Sequence, residues 1–237
     1  GTSGTGNPVY EANPGGAPCN VLSCLQKLGR STAFIGKVGK DSFGKLLEEA
    51  VREQGICTDG LRFDEQVPTT LAFVHKKPDG DRDFSFYRNP GADMMLEKED
   101  VSRELVQSAK IFHFGSLSMT SERGEEATRH AIEMAKENGC LVSFDPNLRP
   151  PLWKELQTAK EKIQYGLSQC DILKISDNEI EFMTGQKDIE KGVRQLLEEY
   201  QIPLVCATMG KDGSKAFYRG DIISGKPIHS QNTVETT

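Results

Sequence analysis

The sequence contains no apolar stretch approaching the roughly 18 residues that a bilayer-crossing helix needs. It has no excess of positive charge. Lys and Arg number 29 against 35 Asp and Glu, for a net charge of −6 and a pI near 5.4. A general nucleic-acid binder presents a basic face, so nucleic acid and membrane are both set aside as partners. The six cysteines form no CxxC pair and the four histidines do not cluster. That excludes a sequence-readable zinc site. The cysteines read as buried free thiols of a reducing compartment, and the location expected is cytoplasmic. There is no GxGxxG, no HExxH and no GxSxG, so the local signatures of dinucleotide binding, zinc proteolysis and the hydrolase elbow are missing. Gly1 to Gly6 carry no initiator Met and no apolar core of a secretory signal. The chain therefore reads as beginning mid-protein or after processing.

What is present suits one soluble globular domain spanning 1–237: 36% hydrophobic and 27% charged residues. Ala33–Val38 reads as a strand. Asp41 then caps a helix running to about Gln54, which Gly55 ends. Thr70–His75 and Phe84–Arg88 alternate about Pro78-Asp-Gly80, which predicts a hairpin with one polar face. From Ile111 the rhythm becomes strand then helix: strands at 111–114, 141–144, 172–175 and 204–207, with helices at 121–138, 153–167, 178–183 and 189–200. Lys215–Tyr218 and the residues after Asp221 read as an antiparallel pair. The pattern argues for an α/β fold with a parallel sheet covered on both faces. The hairpin, within about 67–90, stands off it as a lid.

Open α/β sheets bind ligands beyond the carboxyl ends of their strands. There the sequence places Gly115-Ser116, Asp145-Pro-Asn-Leu-Arg149, Ser176-Asp-Asn-Glu179 and Thr208-Met-Gly-Lys-Asp-Gly213. Each is also ordinary turn or capping chemistry, but four at one sheet edge favour a site. Carboxylates without clustered His or Cys suit Mg²⁺. Gly210 and Gly213 let backbone N–H groups face an anion. Arg149, Lys174 and Lys211 can offset phosphate charge. Gly39-x4-Gly44-Lys45 resembles a P-loop but has Leu46 where Ser or Thr is needed, and Gly44 falls inside the helix expected there. Asn13-Pro-Gly-Gly-Ala-Pro-Cys-Asn20 opens a helix over Val21–Leu28 and suits close approach by a polar ligand. Arg88, at the lid's end, reads as pointing into the cleft.

These residues together resemble the ribokinase-like, phosphofructokinase-B type carbohydrate kinases, and among them the bacterial and plant fructokinases. The likeness rests on Gly15-Gly-Ala-Pro-Cys-Asn20 with Gly29 and Gly39, Val67–Val74, Phe84–Asp93, Phe144–Arg149 and Asp171–Ser176. Leu22 departs from the small residue usual at its place. The resemblance implies a three-layer sandwich with a parallel central sheet and a small β lid. It implies transfer of the ATP γ-phosphoryl group to the 6-hydroxyl of fructose, with ATP and Mg²⁺ as cofactors. Gly15, Gly16 and Asn20 match sugar contacts, Tyr87 and Arg88 match residues that close over the sugar, and Arg149 faces the sugar or the transferred phosphate. Asn147, Lys174, Ser176, Thr208, Gly210, Lys211 and Gly213 match the nucleotide side, and Glu179 matches the magnesium motif. A homodimer through the lid is a further implication. The family's Gly-Ala-Gly-Asp, whose Asp is the catalytic base, is not in the sequence, which stops at Glu235-Thr-Thr237 where that motif is due. The family's first strand is likewise absent before Gly1, so an internal fragment with little activity of its own is expected. Two alternatives accompany this reading: a sister kinase for 2-keto-3-deoxygluconate, ribose or a nucleoside, and a non-catalytic sugar- or nucleotide-binding truncated protein.

Overall fold

The structure is a computed structural model, and it describes residues 4–7, 9–76 and 82–227. Pro78-Asp-Gly80, His229 and the last residues to Thr237 lie outside the described residues. Strand β1 (Ala33–Gly39) pairs in parallel with β2 (Cys57–Asp64). The lid is an antiparallel ribbon of β3 (Leu71–Lys76) and β4 (Arg82–Tyr87). The main sheet has six strands in the order β10-β9-β8-β7-β6-β5. Within it β5 (Ile111–Gly115), β6 (Leu141–Asp145), β7 (Ile172–Ser176) and β8 (Leu204–Thr208) run parallel. The edge strands β9 (Ser214–Tyr218) and β10 (Asp221–Gly225) run antiparallel. Helices α1 (Ala17–Lys27) and α2 (Ser42–Glu53) flank β1, and α3 (Arg103–Ser108) precedes β5. Helices α4 (Glu122–Glu137), α5 (Leu156–Gln169), α6 (Asp177–Thr184) and α7 (Ile189–Tyr200) connect the parallel strands.

Period-two alternation decides which sheet face is core. Val142, Phe144, Leu173, Ile175, Val205 and Ala207 all point to one face and are fully buried beneath α4–α7. The opposite face carries His113, Ser143, Lys174 and Cys206, all half-buried, and exposed Ile111, Leu141 and Tyr218. Among the described residues α4–α7 cover the first face, and α1 meets the sheet at β5. His113, Ser143 and Lys174 interrupt the apolar runs of three of the parallel strands, whereas Leu204-Val-Cys-Ala207 is continuous. A second core joins β1 to the main sheet. There Val106, Ala127, Ala131, Met134 and Cys140 pack with Ile35 and Phe112.

Several boundaries differ from the sequence reading. Helix α1 starts at Ala17 rather than Val21, with Pro18 in its first turn, where a missing N–H costs nothing. Helix α5 starts at Leu156 rather than Trp153, because Pro150 and Pro151 hold the chain in a short 3-10 turn first. Strand β2 and helix α3 were not expected at all. The face expected to be polar is mixed, because exposed His75 and Ser85 share it with apolar residues. Leu71, Phe73 and Tyr87 share one side, while Ala72, Val74, Phe84 and Phe86 share the other. The Asp41 cap is as expected, its carboxylate accepting from Gly44 N at 2.8 Å. Gly44 sits so close to the Gly39 carbonyl that a Cβ there would clash, so the Gly39–Gly44 spacing is helix-on-strand packing rather than a phosphate loop.

Gly166 of α5 is buried against the Phe144 ring, and a Cβ there would penetrate that ring's van der Waals shell. Gly166→Ala should therefore lower stability by about 1–3 kcal/mol through overpacking, although alanine is the better helix former. Urea unfolding of both proteins checks this, and an unchanged midpoint would show that Phe144 can yield.

Candidate active site

Three of the predicted loops meet at the carboxyl ends of β6, β7 and β8. Ser176 lies opposite Thr208 across β7 and β8, and Thr208 lies opposite Ser214. Glu179, 6% exposed, joins two of these loops. One of its oxygens accepts from Leu148 N at 2.7 Å, and the other accepts from Ser176 N and Ser176 Oγ, both at 2.8 Å. With Ser176 it forms the capping box that starts α6. A buried carboxylate needs such donors, and each hydrogen bond to a charged group contributes about 1.5–3 kcal/mol.

Asp145, at the end of β6, accepts from Lys174 Nζ at 3.2 Å and from Asn147 N at 3.2 Å. Burial raises the Asp145 carboxyl above its usual range. Lys174 pulls the other way, and the nearby Glu179 charge adds to the rise. Asn147 takes a left-handed conformation at φ 42°, which turns the chain towards Arg149. The Arg149 side chain is exposed and, among the described residues, donates only to the carbonyl of Leu148, at 3.2 Å. Beyond β8, Met209 N donates to Gly213 O at 2.9 Å and Gly213 N to Gly210 O at 3.2 Å, closing a tight turn. Gly210 and Gly213 both have positive φ, at 52° and 92°, the conformation that favours glycine. Lys211 is exposed at its tip.

The sugar-side residues fall into two groups. Gly16 is the N-cap of α1 at φ 123°, with Gly15 and Asn20 exposed beside it. The chain just before α1 is tied to the lid through aromatic edges: Tyr10 meets Phe73 at 5.2 Å between ring centroids, and Phe73 meets Tyr87 at 5.4 Å. Tyr87 is 67% exposed and free to face a ligand. Arg88 is not. It is held by Asp93, Thr120 and the carbonyl of Leu117, and it also borders the cavity at the lid root. A cavity of about 240 Å³ lies between the lid root and the turn after β6, lined by Phe86, Arg88, Asn89, Met94, Pro151 and Leu152.

Among the described residues no three His, Cys, Asp or Glu side chains are grouped to hold a metal ion. The donor set fits a largely hydrated Mg²⁺ brought in on phosphates, which uses only one or two carboxylates. Asp145 and Glu179 stand near one another at this edge, with Asp177 and Asp212 in the same loops. No described helix is long and apolar enough to cross a membrane.

The family model described as pfkB family carbohydrate kinase matches residues 7–237. The chain belongs to this family. It is 41% identical to a probable fructokinase-2 of Arabidopsis thaliana, over 94% of this chain and 68% of that one. It is 41% identical to fructokinase-1 of Oryza sativa subsp. japonica, over 97% and 71%. The fructokinase of Vibrio cholerae O395, solved with fructose, ADP and calcium ion, superposes with a TM-score of 0.86 at 32% identity, over 95% of this chain and 73% of that one. The loops at the ends of β6, β7 and β8 are thus those of a carbohydrate kinase with the ribokinase-like fold. Thr69, Thr70, Asp93 and Thr120 of this kinase were not singled out from its sequence. The hints were that Thr69 and Thr70 lie in the Val67–Val74 stretch and that Asp93 closes the Phe84–Asp93 stretch, on both of which the family likeness rests.

The raised Asp145 carboxyl has a consequence for stability. Its proton is held more tightly in the folded than in the unfolded chain. The stability it contributes is whole below the unfolded value and is lost as pH rises through the folded one. Asp145→Asn should therefore match the parent below about pH 4 and be the more stable protein at pH 7. Denaturant midpoints across that range test the sign, and a variant weaker than the parent at pH 7 would mean that the Lys174 pair outweighs burial.

Proposed function

We propose that this kinase transfers the γ-phosphoryl group of ATP to the 6-hydroxyl of fructose. The observation that carries the reading is the assembly of the 145–149, 176–179 and 208–213 loops on one sheet edge, beside a lid whose exposed Tyr87 faces outward. The fructokinase relatives supply the acceptor. Gly15, Gly16, Asn20 and Tyr87 would hold the sugar. Gly210, Lys211 and Gly213, with Thr208 and Ser176, would hold the nucleotide phosphates, and Asn147 and Lys174 would border them. Phosphoryl transfer is mostly positioning and charge stabilisation, and Arg149 has the exposed guanidinium for it. A magnesium ion held near Glu179 would supply positive charge to offset that of the phosphates. Glu179 fits a role towards that ion through coordinated water, because its oxygens are already engaged within the protein.

The acidic base that takes the sugar proton in the resemblance belongs to a Gly-Ala-Gly-Asp stretch absent from these 237 residues. We propose that these residues are an internal piece of the kinase and that the base is supplied by chain outside them. The half-exposed second sheet face supports this, since a parallel sheet is stable when both faces are covered. A cytoplasmic location and a homodimer through the lid's apolar sides belong to the same proposal.

The gene product should phosphorylate fructose faster than ribose, 2-keto-3-deoxygluconate or a nucleoside in a magnesium-dependent assay of ADP release. Arg149→Ala should lower kcat by about 10²–10³-fold, the loss seen when one charge-stabilising donor is removed. The 237 residues alone should turn over at least about 10²-fold more slowly than the gene product, the usual contribution of a positioned base. Faster transfer to one of the other acceptors would reassign the substrate. Binding without turnover by the gene product would favour a non-catalytic binder.

A further inference from the structure

The lid root is held by polar side chains that the phosphoryl-transfer reading does not use. The Arg88 side chain is only 6% exposed. Its Nε donates to Asp93 Oδ2 at 2.7 Å, and its Nη2 lies 2.6 Å from the same oxygen. Its Nη1 donates to Thr120 Oγ1 at 2.8 Å, and Nη2 also donates to the Leu117 carbonyl at 3.1 Å. All three guanidinium nitrogens therefore have protein partners, two of them in the Ser116–Met119 turn and Thr120, which follow β5. The second oxygen of Asp93 accepts from Thr70 Oγ1, at the start of the lid. Asp93 thus ties the chain entering the lid to the chain leaving it, and Arg88 ties both to the sheet.

Packing confirms how closely these groups meet. A Cβ on Gly91 would collide with Thr70 Oγ1 and approach Asp93 Oδ1 to 2.8 Å and Arg88 Cγ to 3.1 Å. Next door, Thr69 N and Thr69 Oγ1 both donate to the Asp41 carboxylate at 2.8 Å, which moors the same entry segment to the cap of α2. Thr69 and Thr70 point to different anchors, so the entry strand is fixed from both sides.

We propose that Arg88, Asp93 and Thr120 act as positioning residues: they clamp the lid root to the carboxyl end of β5 and set the lid's seat over the sugar, without themselves touching it. The proposal rests on the fructokinase reading for its sugar, but the clamp itself does not. Four of the five guanidinium N–H groups are spent on protein partners, one Nη1 N–H remains, and breaking the Asp93 pair would strand a charge. The sugar-facing surface is left to Tyr87, the immediate neighbour of Arg88. A small shift of the clamp therefore moves a binding side chain, and errors of about 1 Å can cost on the order of 10²-fold.

The test uses Asp93→Asn, Thr120→Val, Thr120→Ser and Arg88→Lys in the gene product, with two readouts: fructose KM and kcat taken separately, and amide hydrogen exchange of the ligand-free protein. Asp93→Asn, Thr120→Val and Arg88→Lys should each raise KM by about 5–30-fold with kcat altered less than about threefold. Each should speed exchange in β3 and β4 by about fivefold or more, with β6 and β7 unchanged. Thr120→Ser keeps the hydroxyl and should restore both readouts to within about twofold. If only Arg88→Lys raises KM while Asp93→Asn and Thr120→Val leave KM and exchange at parental values, Arg88 is a sugar ligand and the proposal is wrong. Uniform acceleration throughout the sheet would make the effect general destabilisation and also overturn it. If the parent does not phosphorylate fructose, the function reading fails by itself. Exchange then still decides the clamp: local loosening of β3 and β4 supports it, and parental exchange overturns it.

Discussion

The site depends on one buried carboxylate. Glu179 gathers Leu148 N, Ser176 N and Ser176 Oγ onto two oxygens, and by doing so fastens the loop after β6 to the helix start after β7. Sheet hydrogen bonds set β6 beside β7 only at Ser143–Ile172 and Phe144–Leu173. On its other side β5 holds the chain as far as Pro146, whose carbonyl accepts from Ser116 N and Oγ, but no strand pairing reaches Leu148. The Glu179 bridge supplies that constraint, and its burial makes the constraint strong, because a carboxylate stripped of water tolerates no loss of donors. The phosphate-facing reading of Arg149 rests on this local rigidity.

The other half of the cleft is organised differently. The lid is a two-stranded ribbon, which has little stability of its own in water. It is fixed by aromatic edges at Tyr10, Phe73 and Tyr87 and by carboxylate–threonine contacts at its root. Carboxylates thus perform the anchoring on both sides: Glu179 under the nucleotide loops, Asp41 and Asp93 under the lid. Arginines then differ by environment. Arg149 is exposed and, among the described residues, has one carbonyl partner, whereas Arg88 is buried with every nitrogen engaged. The same residue type serves chemistry in one place and architecture in the other.

Much of this was legible in the sequence. The Val, Ile, Leu and Phe runs of β5 to β8 fixed the strand–helix rhythm, and the turn residues after them marked the sheet edge where ligands bind. Strand β2 was not legible, because Thr58-Asp-Gly60 looks like a turn. The structure instead uses Gly60 where β2 lies so close to the Phe34 carbonyl of β1 that a Cβ would crowd it. The half-buried second face of the sheet was written in His113, Ser143 and Lys174. The anchoring of Arg88 was not legible because two of its partners, Leu117 and Thr120, are distant in sequence. Glu179 was found as a motif position, yet its capture of Leu148 N required two strands to be in register.

The measurement that tests the central claim most directly is a crystal structure of the kinase with fructose and a non-hydrolysable ATP analogue. The account predicts fructose beside Tyr87 and the Gly15–Gly16 turn, with the γ-phosphate within reach of Arg149 and the 208–213 turn, and Glu179 still bound to Leu148 N. Fructose bound away from the lid, or phosphates seated elsewhere than the ends of β6, β7 and β8, would contradict it.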